Sequence, residues 1–295
     1  MLVGLMRTSS ERNVAEVLER ETGYKAADIE AVRALRTIVW RCDDRFFVKQ
    51  GTPQDNFVIE AAAHEAARSA GVPVPPVAAI TTDYLILGAV PGVPVHDERL
   101  TIDQRRAALT EAGAYLRMLH EIRRPGFGWA NEDLSGTRSS WIEHIESKFA
   151  AGLEFLDGVL GSEEIATLRD AFERRRGQIA NVDAGSLLHG DLQVDHILVD
   201  QSSGAMTSII DWGAVSVGDP AWDIAVLSSW APQVINRLLA GYEPNEALRS
   251  RLDALLQMYR ACRHAWEYRA GVEDGLDESG RIPILREIIV ELVRR

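Results

Sequence analysis

His189-Gly190-Asp191-Leu192-Gln193-Val194-Asp195-His196-Ile197-Leu198-Val199-Asp200, followed after a short polar segment by Ile209-Ile210-Asp211-Trp212-Gly213, is the stretch on which the fold turns. Ile197, Leu198 and Val199 predict one short strand, and Ile209 and Ile210 a second. Ser202-Ser203-Gly204 between them reads as a turn. Such a hairpin presents Asp191 and His196 just before one strand and Asp211 just after the next. Two carboxylates and an imidazole are expensive to bury together, so the cluster points to chemistry rather than to packing.

Working outward, the pattern on both sides is mostly helical. Downstream, Pro220 to Ser229 begins a helix beside Asp219. Leu248 to Tyr268 is long and amphipathic, and Ile282, Leu285, Ile288, Ile289 and Leu292 form the stripe of a last helix. Upstream, Ile102–Ile122, Trp141–Val159 and Ser162–Ile179 read as helices. Before them Pro91-Gly92-Val93-Pro94 is the clearest break. The first part is different. Thr8 and Glu11 have capping-box spacing ahead of Val14, Val17 and Leu18. Ala34–Trp40 and Arg45–Lys49 read as strands around a Cys42-Asp43-Asp44 turn. Asn56–Ala70 is an Ala-rich helix, Val72–Pro76 an extended link, and Tyr84–Leu87 a buried strand. Strands come first, then helices with one hairpin inserted. The expected fold is α+β in two lobes, with residues 1–90 as a small N-terminal sheet lobe and 91–295 as a larger helical lobe.

The bulk numbers narrow the partners. The chain has 295 residues, 46% hydrophobic and 26% charged, an ordinary globular composition. A net charge of -12 argues against nucleic acid, whose phosphates require clustered Lys and Arg. It suits a cationic small molecule, although acidity also serves solubility. Two cysteines, Cys42 and Cys262, give no disulfide framework. No run approaches a membrane span, and Met1–Met6 is too short for a signal segment. The expectation is a cytoplasmic protein with no membrane partner. No pattern in the sequence sets an oligomeric state.

His189-Gly190-Asp191 with His196 five residues after the Asp, then Ile210-Asp211-Trp212 and Gly218-Asp219-Pro220-Ala221-Trp222-Asp223, resembles the aminoglycoside phosphotransferase family. That family shares the two-lobed protein-kinase-like fold with choline kinases. The resemblance spans most of the chain and is most specific over residues 188–225. It implies transfer of the γ-phosphoryl group of ATP or GTP to a hydroxyl of a small molecule, with Mg2+ as cofactor. Phosphoryl transfer is mostly positioning and charge neutralisation. By resemblance Asp191 takes and orients the acceptor's proton, and Asp211 holds the divalent cation that bridges the phosphates. A lone Asp beside a turn is more often a cap, but here the paired spacing outweighs that reading. His196 departs from the family, most of whose members carry Asn as second metal ligand. It reads as a ligand or as a group orienting Asp211. His189 reads as structural. Asp219 and Asp223 read as a helix cap and a brace for the catalytic loop.

In the first lobe Phe46-Phe47-Val48-Lys49 resembles the strand carrying the phosphate-binding lysine. Glu60 and Glu65 compete as its acidic partner, and Glu60 has the family's spacing to Gly71. Gly88, Ala89 and Val90 correspond to the segment that binds the base through its backbone. No glycine stands between Ala31 and Arg45, where the family usually has one; Arg36 and Thr37 occupy that turn, and Thr37 is a candidate phosphate contact. Glu267, Glu273, Asp274, Asp277 and Glu278 cluster near the C-terminal helices. They read either as partners for ammonium groups of an acceptor or as a solvated acidic loop. Trp230, Trp266 and Tyr268 read either as core or as walls for a larger apolar acceptor. The leading function is a kinase for an aminoglycoside-like antibiotic or related metabolite. His196 keeps a macrolide phosphotransferase open, because some macrolide-phosphorylating members carry His in a similar run. The missing glycines keep open a nucleotide-binding pseudokinase with weak turnover.

Overall fold

The computed structural model describes residues 8–32, 37–52 and 55–294. Helix α1 (Ser9–Thr22) starts at Thr8, where the capping box forms in both directions. Strands β1 (Ile29–Val32), β2 (Ile38–Cys42) and β3 (Phe46–Gln50) follow. Helix α2 (Phe57–Ser69) starts where the Asn56 carboxamide accepts from Val58 and Ile59. Strands β4 (Val77–Ile80) and β5 (Tyr84–Gly88) complete an antiparallel sheet of order β1-β2-β3-β5-β4. Sequence reading ended its extended link at Pro76 and placed neither β4 nor β1. Residues 34–36 of the expected strand 34–40, Arg36 among them, lie outside the described residues.

The pleat decides what each side chain of this sheet meets. Val48 pairs with Trp40 and Ile86, and all three pack with Val14, Val17 and Leu18 of α1. The next residue, Lys49, pairs with Leu85, which packs with Phe57 and Ala61 of α2. Lys49 therefore faces α2 and not α1, and a buried lysine on that face needs an acid from α2.

Beyond β5, the two-residue strand β6 (Val93–Pro94) leaves the first sheet. Then come α3 (Ile102–His120), β7 (Arg123–Arg124), β8 (Phe127–Ala130), β9 (Gly136–Arg138), α4 (Trp141–Leu156), α5 (Ser162–Ala180) and β10 (Gly185–Leu188). The hairpin read from the sequence is β11 (Ile197–Val199) and β12 (Met206–Ile209), after which comes β13 (Ser216–Gly218). Helices α6 (Ala221–Trp230), α7 (Ile235–Tyr242), α8 (Glu246–Glu273) and α9 (Arg281–Arg294) finish the chain. The expected α+β plan holds, an N-terminal sheet followed by a helical region. One expectation is corrected: the hairpin is not the only β-structure there. The same region of the chain also forms a second five-stranded sheet, β7-β10-β13-β8-β9. Its strands have two to four residues, and β10 and β13 are buried on both faces, so they show no alternation to read.

The hairpin is clasped from both sides by segments next to the first sheet. Strand β6 pairs with β11, and Pro73 accepts from Ile209 N–H at 2.9 Å. Thr207 Oγ1 donates to the Pro91 carbonyl at 2.6 Å. The large core packs α3, α4, α6 and α8, with Trp141, Trp222 and Tyr259 fully buried. Cys42 and Cys262 are buried and not disulfide-bonded. Among the described residues no helix is long and apolar enough to cross a membrane.

Candidate active site

The loop after β10 is tied down before it reaches Asp191. Gly190 has φ 82, and a Cβ there would lie 1.8 Å from the Ala214 carbonyl oxygen, so only glycine fits. The Asp223 carboxylate, in the first turn of α6, accepts from His189 N–H and Gly190 N–H, each at 2.8 Å. It also accepts from His120 Nε2 at 3.0 Å. Burial pushes the Asp223 carboxyl up, but the His120 hydrogen bond and the donors around it win and hold it below the usual range. Asp219 accepts from Ala221 N–H at 3.1 Å and from Tyr259 at 2.8 Å. The cap-and-brace reading of these two acids matches that geometry.

Two histidines frame the loop, and their partners fix their tautomers. His189 Nε2 lies 3.0 Å from the Ile210 carbonyl, which can only accept, so Nε2 carries the proton. Its Nδ1 then accepts from Asp191 N–H at 3.4 Å. Burial lowers its pKa, which keeps this bridging imidazole neutral. His196 Nδ1 lies 2.8 Å from the Asp191 carbonyl and is likewise the protonated nitrogen. Its Nε2 lies 3.7 Å from Asp211 Oδ2.

Asp211 follows β12 at φ 65, a left-handed conformation that Asp tolerates better than most residues. Trp212 anchors the turn, its Nε1 donating to Ile209 O at 3.0 Å and its ring packing on His189. Lys49 Nζ reaches Asp211 Oδ1 at 3.1 Å and the two oxygens of Glu60 at 2.8 and 3.1 Å. Glu65 instead faces solvent, bonded to Arg68 and Ser69. Burial opposes the charge on Lys49, yet Glu60 and Asp211 outweigh it and raise its pKa above the ordinary lysine value. Burial also works against an ionised Asp211, but Lys49 leads the groups that hold its pKa at about 2. Lys49 and Asp211 are thus charged together.

Among the described residues no cluster of three or more His, Cys, Asp or Glu could hold a metal unaided. The donor set fits Mg2+ only as a ternary site, with the Asp211 carboxylate, His196 Nε2 and phosphate oxygens of a nucleotide. That is the usual way Mg2+ is shared between protein and triphosphate.

The remaining candidates are distributed unevenly. Gly88 N–H donates to the Pro76 carbonyl and Ala89 N–H to the Arg45 carbonyl, each at 2.8 Å. Of the three base-contact candidates, only Val90 has an amide not engaged in this way. Thr37 Oγ1 lies 3.5 Å from Asp55 Oδ1, beside residues outside the described set. Four of the acids near the C-terminal helices have arginine or backbone partners. Glu267 pairs with Arg263 at 3.1 Å, Glu273 with Arg269 at 3.0 Å, and Glu278 with Arg281. Asp277 accepts from Ser279 N–H, and Asp274 ends α8. Carboxylates so matched offer little charge to an acceptor.

Sequence reading missed two groups here. Arg263 of α8 donates to Asp191 Oδ1, and its only sequence signal is the i,i+4 spacing to Glu267. Lys148 of α4 is buried with its ammonium 4.0 Å from the Trp129 ring and 5.3 Å from those of Trp222 and Trp266. Burial, with Arg263 nearby, lowers its pKa to about 7. Beside the Asp191 loop a pocket of about 250 Å³ is lined by Gln193, Val194, Asp195, Val226, Leu227, Trp230 and Ala231.

Known proteins share this layout. The family model described as phosphotransferase enzyme family (APH) matches residues 32–255. Viomycin phosphotransferase of Streptomyces vinaceus is 27% identical over 203 residues, 65% of this chain and 67% of that protein. Aminoglycoside 3'-phosphotransferase of Streptomyces fradiae is 31% identical over 170 residues, 53% of this chain and 58% of its own length. Among solved structures, a thermostable mutant of aminoglycoside phosphotransferase APH(4)-Ia, in ternary complex with AMP-PNP and hygromycin B, superposes with a TM-score of 0.73 at 17% identity. That superposition covers 96% of this chain and 98% of the other. The fold is therefore common to both. With the family model matching most of its length, the chain belongs to the phosphotransferase enzyme family and is a kinase-type enzyme.

Proposed function

We propose that this enzyme transfers the γ-phosphoryl group of ATP to a hydroxyl of an antibiotic, viomycin or an aminoglycoside. Asp191 serves as base and Asp211 as metal ligand. The observation that carries the reading is the contact of Lys49 Nζ with Glu60 and Asp211 at once. It joins an ammonium from the first sheet to a carboxylate at the end of β12, the two charges a bound triphosphate and its cation require. A bound Mg2+ supplies charge neutralisation across the phosphates. Lys49, fixed by Glu60, holds the phosphate oxygens. Asp191, beside the half-buried His196, orients the acceptor and receives its proton.

Residues 1–90 would then be the nucleotide lobe and 91–295 the acceptor lobe. ATP is preferred over GTP here because the superposed APH(4)-Ia complex holds AMP-PNP. The cytoplasm, where that nucleotide is abundant, is the expected site of action. The acceptor pocket is the one walled by Gln193 and Trp230, not the acidic residues Glu267, Glu273 and Asp274. Trp230 is 47% exposed there, and Gln193 bonds Asp191 directly.

The test offers the full chain ATP or GTP with Mg2+ and viomycin, hygromycin B, gentamicin or a macrolide. Gain of one phosphate by the acceptor is read by mass spectrometry. Transfer that is lost in Asp191→Asn supports the reading. Transfer to the macrolide alone moves the substrate class to the macrolides. No transfer to any acceptor, together with equal nucleotide hydrolysis by wild type and Asp191→Asn, removes it in favour of a nucleotide-binding module.

A further inference from the structure

Asp191 is held on one side only. Gln193 Nε2 donates to its Oδ1 at 2.8 Å, and a terminal nitrogen of Arg263 donates to the same oxygen. Among the described residues no donor is bonded to Oδ2. Arg263 lies 72 residues further along, on α8, and is 7% exposed. A guanidinium buried so deeply needs carboxylate partners, or its desolvation goes uncompensated. It has two: Asp191 and, 3.1 Å from its other terminal nitrogen, Glu267 one turn on. Glu267 is faced from α9 by Arg281 at 3.7 Å, and Arg281 Nε donates to Glu278. The guanidinium is fixed from behind and cannot turn with Asp191.

We infer that Arg263 is a positioning residue for phosphoryl transfer: with Gln193 it occupies Oδ1 of Asp191, so that Oδ2 alone is presented to the acceptor hydroxyl. The inference rests on the reading of Asp191 as base. In the step, the acceptor oxygen forms a bond to the γ-phosphorus. The bond from that phosphorus to the oxygen bridging to the β-phosphate breaks, its electron pair leaving with the nucleoside diphosphate. The hydroxyl proton passes to Oδ2. A carboxylate free to rotate would spend part of its time with neither oxygen aligned, and misalignment of the reacting groups is a large kinetic loss. The guanidinium also offsets the anion that a triphosphate would otherwise meet.

Hydrolysis of ATP and GTP by the full chain with Mg2+, water standing in as acceptor, gives a rate for every variant. Arg263→Met is expected to lower kcat about 100-fold while the nucleotide KM stays within about twofold. Arg263→Lys restores a cation without the fork and is expected to recover about tenfold of that loss. Gln193→Leu lowers kcat by a smaller factor, and its effect changes when combined with Arg263→Lys, because both donors serve one oxygen. Wild-type kcat in Arg263→Met overturns the inference. So does a loss in which nucleotide KM rises as kcat falls and Lys recovers nothing, the pattern of a collapsed loop. If Arg263→Met does not fold, Arg263→Lys and Gln193→Leu decide, and wild-type kcat in both overturns it. Asp191→Asn separates the two levels. Wild-type hydrolysis in that variant removes Asp191 as base, whereas an inactive Asp191→Asn beside a fully active Arg263→Met removes only the role of Arg263.

Discussion

His120 Nε2 lies 3.0 Å from Asp223 Oδ2, and both side chains are closed to solvent. The same carboxylate carries the amides of His189 and Gly190, so a pair deep in the helical core sets the path of the loop that holds Asp191. Asp223→Ala would leave these buried donors without an acceptor and is expected to cost about 3–5 kcal/mol. Denaturant unfolding measures it. The folded-state pKa of Asp223 lies below that of the unfolded chain. Its contribution is therefore present in full above the unfolded value of about 4 and is lost as pH falls through the folded value. The destabilisation in Asp223→Ala should stay constant at neutral pH and shrink in acid.

Asp211 is charged through the whole neutral range, with its pKa at about 2. Asp211→Ala is expected to abolish the thermal shift given by nucleotide plus Mg2+. A shift of wild-type size in that variant would remove Asp211 from the metal site.

His196 Nε2 lies 3.7 Å from Asp211 Oδ2. His196→Ala is expected to weaken Mg2+ dependence about 10-fold, read as the Mg2+ concentration giving half-maximal rate, and His196→Asn to recover it. Equal Mg2+ dependence in all three proteins would assign His196 to loop structure alone.

Lys148 stands among three indoles, which favour its cation, and in a core, which opposes it. Its pKa of about 7 shows that burial prevails. Below that value the folded protein carries the full burden of a buried charge. As pH rises towards the unfolded pKa of about 10.4, the folded form loses its proton first and the burden disappears. Lys148→Met is expected to raise Tm at pH 6 by about 2–4 °C, with the gain shrinking at pH 9. A gain that grows with pH would reverse the sign.

Trp230 is half exposed, lies under the Arg281 guanidinium at 4.9 Å and walls the pocket beside Gln193. Trp230→Ala is expected to raise acceptor KM about 10-fold with little change in nucleotide KM. An unchanged acceptor KM would place the acceptor elsewhere.

The parts of this molecule that could be read from the sequence are those whose partners are close along the chain. The Thr8 cap, the hairpin around Ser202–Gly204 and the pairing of Lys49 with Glu60 each depend on a spacing of a few residues or one helix. The pleat turns Lys49 towards α2, and it is the buried face of that helix that presents Glu60 and not Glu65. What stayed hidden depends on distant partners. Strands β10 and β13 carry no alternation because both their faces are covered. Arg263 is one arginine among many on a long helix until the fold brings Asp191 to it. The acidic residues after Glu267 looked available to a ligand because their arginines are interleaved with them, and only geometry shows who holds whom.

The clasp around the β11–β12 hairpin, with β6 on one side and Pro73 on the other, has a mechanical consequence. The single chain crossing from the first sheet to the helical region, through β6, and the link between α2 and β4 are both bonded to the same two strands, so a swing of the sheet would pivot about them. Points beside a pivot travel least. Asp211, two residues beyond β12, sits at the axle, while the far edge of the sheet sweeps the widest arc. An opening at the rim would then leave the Asp211 carboxylate, the proposed cation ligand, where it is.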